Sequence, residues 1–403
     1  MTLSEELTWR GLVNQTTFKD IKELDKEKRV FYHGFDASAD SQTVGNLAAM
    51  MFDGILMRHG YKALLLAGGA TSLVGDPGGR TSERQIQAEE RIRANVERAQ
   101  EELKRIHKGK EFTLVNNIDW TKDLKILDFL RDIGKNFGIG DLIKKDFIAS
   151  RLGEGSDGIS YAEFSYTLLQ GMDYLHLFDN YGVTLQIGGS DQWGNCISGV
   201  DLIRKTRGKE VHILSHILVV NKATGKKFGK SEEGAVWLDS NKTSVFKFYQ
   251  FWLNMDDEGV GDYLKIYTEI MPDEFDKLMS NFKKDPAKRL AQKFLAYEVT
   301  KIVHGEEAAN RAKKMTEVLF DGRNVAELSD TEFKELAEEL PNSNKEDLLE
   351  FLVETKLAES KSAARRLIEQ GSIQINGVKA DLNTKFSTES LVKKGKNSFA
   401  VKL

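Results

Sequence analysis

A single cysteine, Cys196, stands in a chain of 403 residues. That excludes an internal disulfide framework and argues against a zinc site built from thiolates. Prolines number only four, and there is no low-complexity tract or internal repeat. No apolar run is long enough to cross a bilayer, so no membrane partner is expected. The N-terminal "MTLSEELTWRG" lacks the basic-then-apolar order of a secretory signal. The expected location is the cytoplasm.

The chain does have apolar material for a core: 40% of residues are hydrophobic and 30% charged. Its length predicts two or three domains. The net charge of −4 hides an asymmetry. The final segment, "ESKSAARRLIEQGSIQINGVKADLNTKFSTESLVKKGKNSFAVKL", is basic, and "LSDTEFKELAEELPNSNKEDLLE" before it is acidic. A nucleic-acid-binding end would show this pattern, and so would a solvated lysine-rich surface.

Between residues 28 and 220, short apolar runs ("RVFYHGF", "KALLLAGG", "FTLVNNI", "VTLQIGG", "VHILSHILVV") alternate with helical patterns. One helical stretch, "SERQIQAEERIRANVERAQEELKRIHKG", opens with Ser82 and Gln85 at capping-box spacing. The alternation predicts a mostly parallel sheet covered on both faces, with ligands at the carboxyl ends of its strands. Polar clusters at 34–40, 68–80 and 188–195 each follow a strand and should meet in one crevice. After about residue 240 the strand signal ends. "DPAKRLAQKFLAYEVTKIVHG" reads as a helix capped by Asp285, with Pro286 in its first turn and Gly305 as its stop. Residues 321–345 read as an acidic linker. The tail gives two short helices and the strands "SIQING" and "SFAVKL".

Three clusters carry chemistry. "DASADSQTVGNL", Asp36 to Leu47, joins a strand to a helix with Thr43, Gly45 and Asn46 and no basic residue. Neutral donors at a helix start suit a phosphate. "GKKFGKSEEG" places Lys226, Lys227 and Lys230 beside Ser231 in a glycine-punctuated loop after the last strand. Such a loop could bring cations to the same crevice, although alone it would pass for a basic surface turn. Tyr166, Gln170 and Asp173 in "YTLLQGMDY" share a helical face at i, i+4, i+7. With Asp76 and with Gln186, Asp191 and Gln192 in "LQIGGSDQWGN", they suit an ammonium group or a hydroxyl.

Together these stretches resemble the class I aminoacyl-tRNA synthetases, bacterial tyrosyl-tRNA synthetases in particular. "GFDASADSQTVGN" is similar to the HxGH signature region, and "KFGKS" to the KMSKS loop. "EFSYTLLQGMDY" and "LQIGGSDQWGN" are close to the tyrosyl pattern. The resemblance covers nearly the whole chain.

It implies a Rossmann-like α/β catalytic domain over 1–225 with an inserted dimer-contact region, and a mobile lysine loop and connector over 226–242. An α-helical domain over 243–320, the linker over 321–345 and an α+β RNA-binding domain over 346–403 follow. Tyrosine contacts are implied for Tyr32, Asp76, Tyr166, Gln170, Asp173, Gln186 and Gln192. Contacts to ATP or adenylate are implied for Gly34, Asp36, Ser38, Gly45, Gly189, Asp191, Arg80 and Arg84. Catalytic roles are implied for Thr43, Asn46, Lys227, Lys230 and Ser231, and RNA contacts for Lys361, Arg365 and Arg366. The implied partners are L-tyrosine, ATP with its Mg²⁺ and tRNA(Tyr), without a protein metal site. A homodimer is implied too, through Tyr161 and the 120–165 region.

One departure stands out: the family's HxGH has two histidines where this chain has Thr43 and Asn46. The tryptophan branch, where a TxGN form occurs, is the alternative. A tyrosine hydroxyl paired with a sheltered carboxylate argues for a substrate that carries an OH. A catalytically decayed RNA-binding protein could also lose both histidines, but it should not keep the whole polar pocket. Cys196 reads as a small buried apolar residue, and His33 as packed beside the pocket.

Overall fold

The computed structural model describes residues 1–76, 88–152, 158–222, 225, 228, 230–231, 234–384, 386 and 389–403. The chain forms two compact units. One holds Met1–Asp239 with Asp256–Lys283, the other Ser240–Met255 with Lys284–Leu403.

The first unit is the expected α/β body. Its sheet has the order β1-β6-β5-β2-β3-β4, from β1 (Val13–Thr16), β2 (Val30–Phe35), β3 (Lys62–Ala67), β4 (Phe112–Asn116), β5 (Val183–Gly189) and β6 (His212–His216). All neighbours run parallel except the edge pair β1 and β6. Near-continuous burial along β3, β5 and β6 explains why these runs read as apolar on both faces. The helices Val44–Arg58, Glu89–Ile106 and Trp193–Arg207 connect successive parallel strands. β2 pairs with β3 on one side and β5 on the other, so the winding reverses between β2 and β5. The carboxyl ends there form the crevice where ligands bind in such sheets. Ser82 and Gln85 lie outside the described residues; the described helix runs from Glu89.

Residues 256–283 belong to this body rather than to the helical domain expected over 243–320. The reason is Arg10, whose buried guanidinium donates to the carbonyls of Lys265, Thr268 and Ile270. Glu6 accepts from Arg10, Arg58 and His59 and ties the N-terminal helix to Val44–Arg58.

In the second unit, Val245–Leu253 packs on Leu290–His304 and Glu306–Phe320. The helix expected from Asp285 is broken. Pro286–Lys288 is a 3-10 turn, Arg289 takes φ 52°, and the α-helix starts at Leu290. Arg289 turns back to donate to the carbonyls of Leu253 and Met255.

The acidic stretch expected as a linker contains the helix Asp330–Glu339, with a Ser329/Glu332 capping box. Its Phe333, Leu336 and Ala337 share a core with Phe246, Met315, Leu391, Phe399 and Val401. Asp330 and Glu338 face solvent, whereas Glu332 is buried and accepts from Lys314. The tail sheet, β11-β10-β12-β13-β9, contains β9 (Asn342–Ser343), β10 (Ile373–Ile375), β11 (Val378–Lys379), β12 (Ser390–Lys394) and β13 (Ser398–Lys402). Helices Leu348–Glu354 and Lys361–Glu369 cover it through Phe351, Leu352, Ala364 and Ile368.

Candidate functional site

A cleft of about 620 Å³ opens at the carboxyl ends of β2 and β5. The three polar clusters expected to converge do so: Gly34 and Asp36, Gly68 and Asp76, and Gly188, Gly189, Asp191 and Gln192 all line it. So do Thr43, Gly45 and Asn46, and Tyr166, Gln170 and Asp173 from one face of the helix Tyr161–Tyr181.

One end is made by backbone and small neutral groups. Asn46 is exposed in the first turn of Val44–Arg58. Its Oδ1 accepts both the Thr43 N–H (3.1 Å) and the Thr43 hydroxyl (2.9 Å). The amide NH₂ is therefore the part of Asn46 that can donate to a ligand, and Thr43 orients it. A side chain at Gly45 would meet the Phe228 carbonyl at 3.4 Å. At Gly189 it would lie 2.6 Å from an Asp191 side-chain oxygen, which would have to move to admit it. Asp36 anchors its own turn: its carboxylate accepts from Ser38 and from the Ser72 hydroxyl. Ser38 is taken up with Asp36. Beneath this end, His33 donates from Nδ1 to the fully buried Asp53.

The other end is made by buried side chains. Tyr32 is 2% exposed, and its hydroxyl has no hydrogen-bond partner among the described residues. Burial, then the nearby Cys196 and Asp173, hold that hydroxyl far above its ordinary pKa. Asp173 is buried too and accepts from Asn117 Nδ2 (2.9 Å) and Trp120 Nε1 (2.8 Å). Burial pushes its pKa up to about 7, against the opposing pull of those two donors. Gln186 Oε1 is a second buried acceptor without a partner among the described residues. An unpartnered buried hydroxyl is costly unless a ligand completes it.

Alongside runs a relay of amides. Gln192 Nε2 donates to Asp76 (2.7 Å), Asn195 to Gln192 Oε1 (3.1 Å), and the Thr167 hydroxyl to Asn195 (2.7 Å). It fixes which end of Gln192 faces Asp76. Cys196 is buried as expected, and burial pushes its thiol up to about 12.

Asn117, Trp120, Asn195 and Thr167 were not singled out from sequence. Trp120 is itself stacked on His176 (4.4 Å, 12°). A signal for the first two existed: "VNNIDW" is a polar cluster at a strand end, like the three that were read.

The lysine loop is described only in part. Lys226 and Lys227 lie outside the described residues, as do Arg80 and Arg84. Lys230 and Ser231 form β7 (Lys230–Ser231), paired with β8 (Gly234–Ala235). The base of the loop is tied to the crevice. Phe228 stacks on Tyr263 and Tyr267, and its N–H bonds the Val219 carbonyl.

A doubly wound sheet with a cleft at its switch point, neutral donors at a helix start and a buried polar pocket defines a nucleotide-binding α/β enzyme. Residues 24–321 match the family described as tRNA synthetases class I (W and Y), and the chain belongs to that family. Residues 330–401 match the SYY-like C-terminal domain of tyrosine–tRNA ligase.

Among curated relatives, "Tyrosine--tRNA ligase 2" of Bacillus cereus is 42% identical over all of this chain and 99% of its own length. "Tyrosine--tRNA ligase" of Bacillus caldotenax is 44% identical over 94% of this chain and 91% of its own. A C-terminally truncated Aspergillus nidulans mitochondrial tyrosyl-tRNA synthetase superposes with TM-score 0.71 at 31% identity, over 79% of this chain and 94% of that one.

Proposed function

We propose that the chain is a tyrosine–tRNA ligase. It condenses L-tyrosine with ATP and then transfers the tyrosyl group to the 3′ end of tRNA(Tyr). The observation that carries this reading is the pairing of a buried, unpartnered Tyr32 hydroxyl with the buried Asp173 carboxylate in one cleft. Apolar burial alone would serve tryptophan or phenylalanine; these two groups suit a phenol.

In this reading the phenol meets Tyr32 and Asp173. The ammonium meets Asp76, Tyr166 and Gln170, and the carboxylate faces Gln192. Gln186 adds an acceptor beside the ring. A carboxylate oxygen attacks the α-phosphorus, the bond to pyrophosphate breaks, and tyrosyl-adenylate forms. Nothing on the protein need be covalently modified, so catalysis is positioning and charge stabilisation. Asn46, oriented by Thr43, donates to the phosphates at the positive end of its helix. Lys227, Lys230 and Ser231 meet the pyrophosphate, with Arg80, Arg84 and the Mg²⁺ that accompanies ATP. Gly34, Asp36, Ser38, Gly45, Gly189 and Asp191 belong to the adenylate side. A ribose hydroxyl at the tRNA 3′ end then attacks the tyrosyl carbonyl, and AMP leaves.

The tail's Lys361, Arg365 and Arg366 contact RNA. Ile126, Leu127, Ile139 and Tyr161, each at least two-thirds exposed (67%, 74%, 69% and 68%), support a homodimer through the 120–165 region. No described helix is long and apolar enough to cross a membrane.

The test is ATP–pyrophosphate exchange with tyrosine, tryptophan and phenylalanine in parallel. Tyrosine should support exchange and the other two should not. Faster exchange with tryptophan would overturn the reading.

A further inference from the structure

The short stretch before Asn46 is held from outside the cleft by a helix the mechanism does not use. Glu102, on Glu89–Ile106, is 5% exposed. Its two carboxylate oxygens are separately occupied: one by the Ser41 hydroxyl at 2.6 Å, the other by the Gln42 N–H at 2.9 Å. Ser41 and Gln42 are buried as well. Burial raises the pKa of this carboxyl, while Ser41, Gln42 and the charge of Arg105 oppose the shift.

The same stretch is zipped to the segment that leaves the lysine loop. The Val44 N–H bonds the Val236 carbonyl (3.0 Å), and the Leu238 N–H bonds the Gln42 carbonyl (2.9 Å). Thr43 and Trp237 face each other across this pairing, and the Asp239 N–H donates to the Ser41 hydroxyl. Arg105, one turn beyond Glu102 on the same helix face, donates to the Leu238 carbonyl (2.9 Å). One helix thus grips both segments, Glu102 the first and Arg105 the second.

We propose that Glu102 is a positioning residue for adenylate formation. Through Ser41 and Gln42 it sets where Thr43, Gly45 and Asn46 stand, and with Arg105 it fixes the return end of the lysine loop against them. This rests on the reading of Thr43–Asn46 as the phosphate cradle. A misplacement of about 1 Å in such a cradle can cost on the order of a hundredfold in rate.

The test is pre-steady-state formation of tyrosyl-adenylate at saturating tyrosine and ATP, with tyrosine affinity and melting temperature measured on the same proteins. Wild-type protein comes first. If it makes no tyrosyl-adenylate, the functional reading fails, and this proposal with it, before any variant is made. Glu102→Ala should slow the step by about ten- to a hundredfold at temperatures well below its melting point, with tyrosine affinity unchanged.

Glu102→Gln should stay near the wild-type rate. Its amide oxygen can accept the Gln42 N–H and its NH₂ can donate to Ser41, whose hydroxyl turns to the Gln42 carbonyl it already approaches (3.1 Å). Should Glu102→Ala not fold, Ser41→Ala decides. It keeps the carboxylate and removes the side chain that joins Glu102 to the Asp239 N–H, and it should also slow the step. Normal rates in a folded Glu102→Ala or Ser41→Ala protein would overturn the proposal. So would a loss of tyrosine affinity as large as the loss of rate.

Discussion

The two ends of the cleft are built by opposite rules. At the amino-acid end, polar side chains are buried or half-buried and held by neighbours: Asp173 by Asn117 and Trp120, and Gln192 by Asp76 and Asn195. The other end offers glycine backbone and an exposed amide at a helix start, and in the proposed reading it binds the nucleotide while positive charge is supplied by the lysines of a separate loop. The difference follows from what each end must do. Selecting a hydroxyl requires partners already stripped of water, so that the wrong substrate leaves them unpaired. Stabilising charge that exists only during reaction requires donors aimed at the phosphates, with cations that need not be present beforehand.

The sharpest way to break this contrast is Asp173→Ala. It removes a buried partner from the substrate hydroxyl, takes the Asp173 acceptor from Trp120 Nε1, and leaves Asn117 Nδ2 with Thr71 alone. About 3–5 kcal/mol should be lost, roughly a hundred- to five-thousandfold in kcat/KM for tyrosine. The loss should fall on tyrosine and not on ATP. An equal rise in the KM for ATP would show that the two ends are not separate.

At the other end, Asn46→Ala should slow adenylate formation by about ten- to a thousandfold, the range for one preorganised donor. Tyrosine affinity should hardly change. Thr43→Val, which keeps the backbone N–H to Asn46 but removes the hydroxyl, should have the same sign and a smaller size. An unchanged single-turnover rate for Asn46→Ala would remove the helix start from catalysis.

How much of each end was legible in the sequence follows from the same contrast. Tyr166, Gln170 and Asp173 could be read together because helical spacing puts them on one face. The strands could be read because burial on both faces leaves near-continuous apolar runs. "VNNIDW" could have been read as one more polar strand end, but not that its Asn117 and Trp120 hold Asp173, because they lie more than fifty positions away in the chain and meet it only once the sheet is wound. The acidic helix Asp330–Glu339 was misread for a compositional reason. Its charge obscured Phe333, Leu336 and Ala337, whose i, i+3, i+4 spacing marks a buried face. The broken start at Arg289 depends on carbonyls some thirty-five positions upstream, which no local pattern encodes.

The amino-acid end should also carry a pH dependence set by Asp173. Burial raises the Asp173 pKa to about 7 in the folded protein, above its unfolded value. The folded state therefore binds the extra proton between about pH 4 and 7, and this group's contribution to stability falls as pH rises through that window. Binding goes the other way. The ionised carboxylate accepts the substrate hydroxyl, so tyrosine affinity should rise with pH up to about 7 and then level off, by at most about tenfold per unit. Equilibrium binding between pH 5.5 and 8 checks this at about half-unit steps. Asp173→Asn should flatten the curve, and a curve that persists in that variant would assign the titration elsewhere.

The smallest effect belongs to the tail, and the structure determines how to look for it. Removing the tail is a poor test, because Leu391, Phe399 and Val401 complete a core with Phe246, Met315 and Phe333. A point variant is cleaner. Lys361 is engaged by Glu350 at 2.8 Å, whereas Arg365 and Arg366 are exposed and make no ion pair among the described residues. The double variant Arg365→Ala/Arg366→Ala should leave tyrosine-dependent pyrophosphate exchange unchanged, since neither residue lines the cleft. It should weaken charging of tRNA(Tyr) several-fold at physiological salt, and less at low salt. If each guanidinium meets one phosphate, the slope of log affinity against log salt should become shallower by about 1–2. Lys361→Ala should cost less than either arginine, because its charge is already shared with Glu350. A salt slope equal to wild type in the double variant would take this helix off the RNA-binding surface.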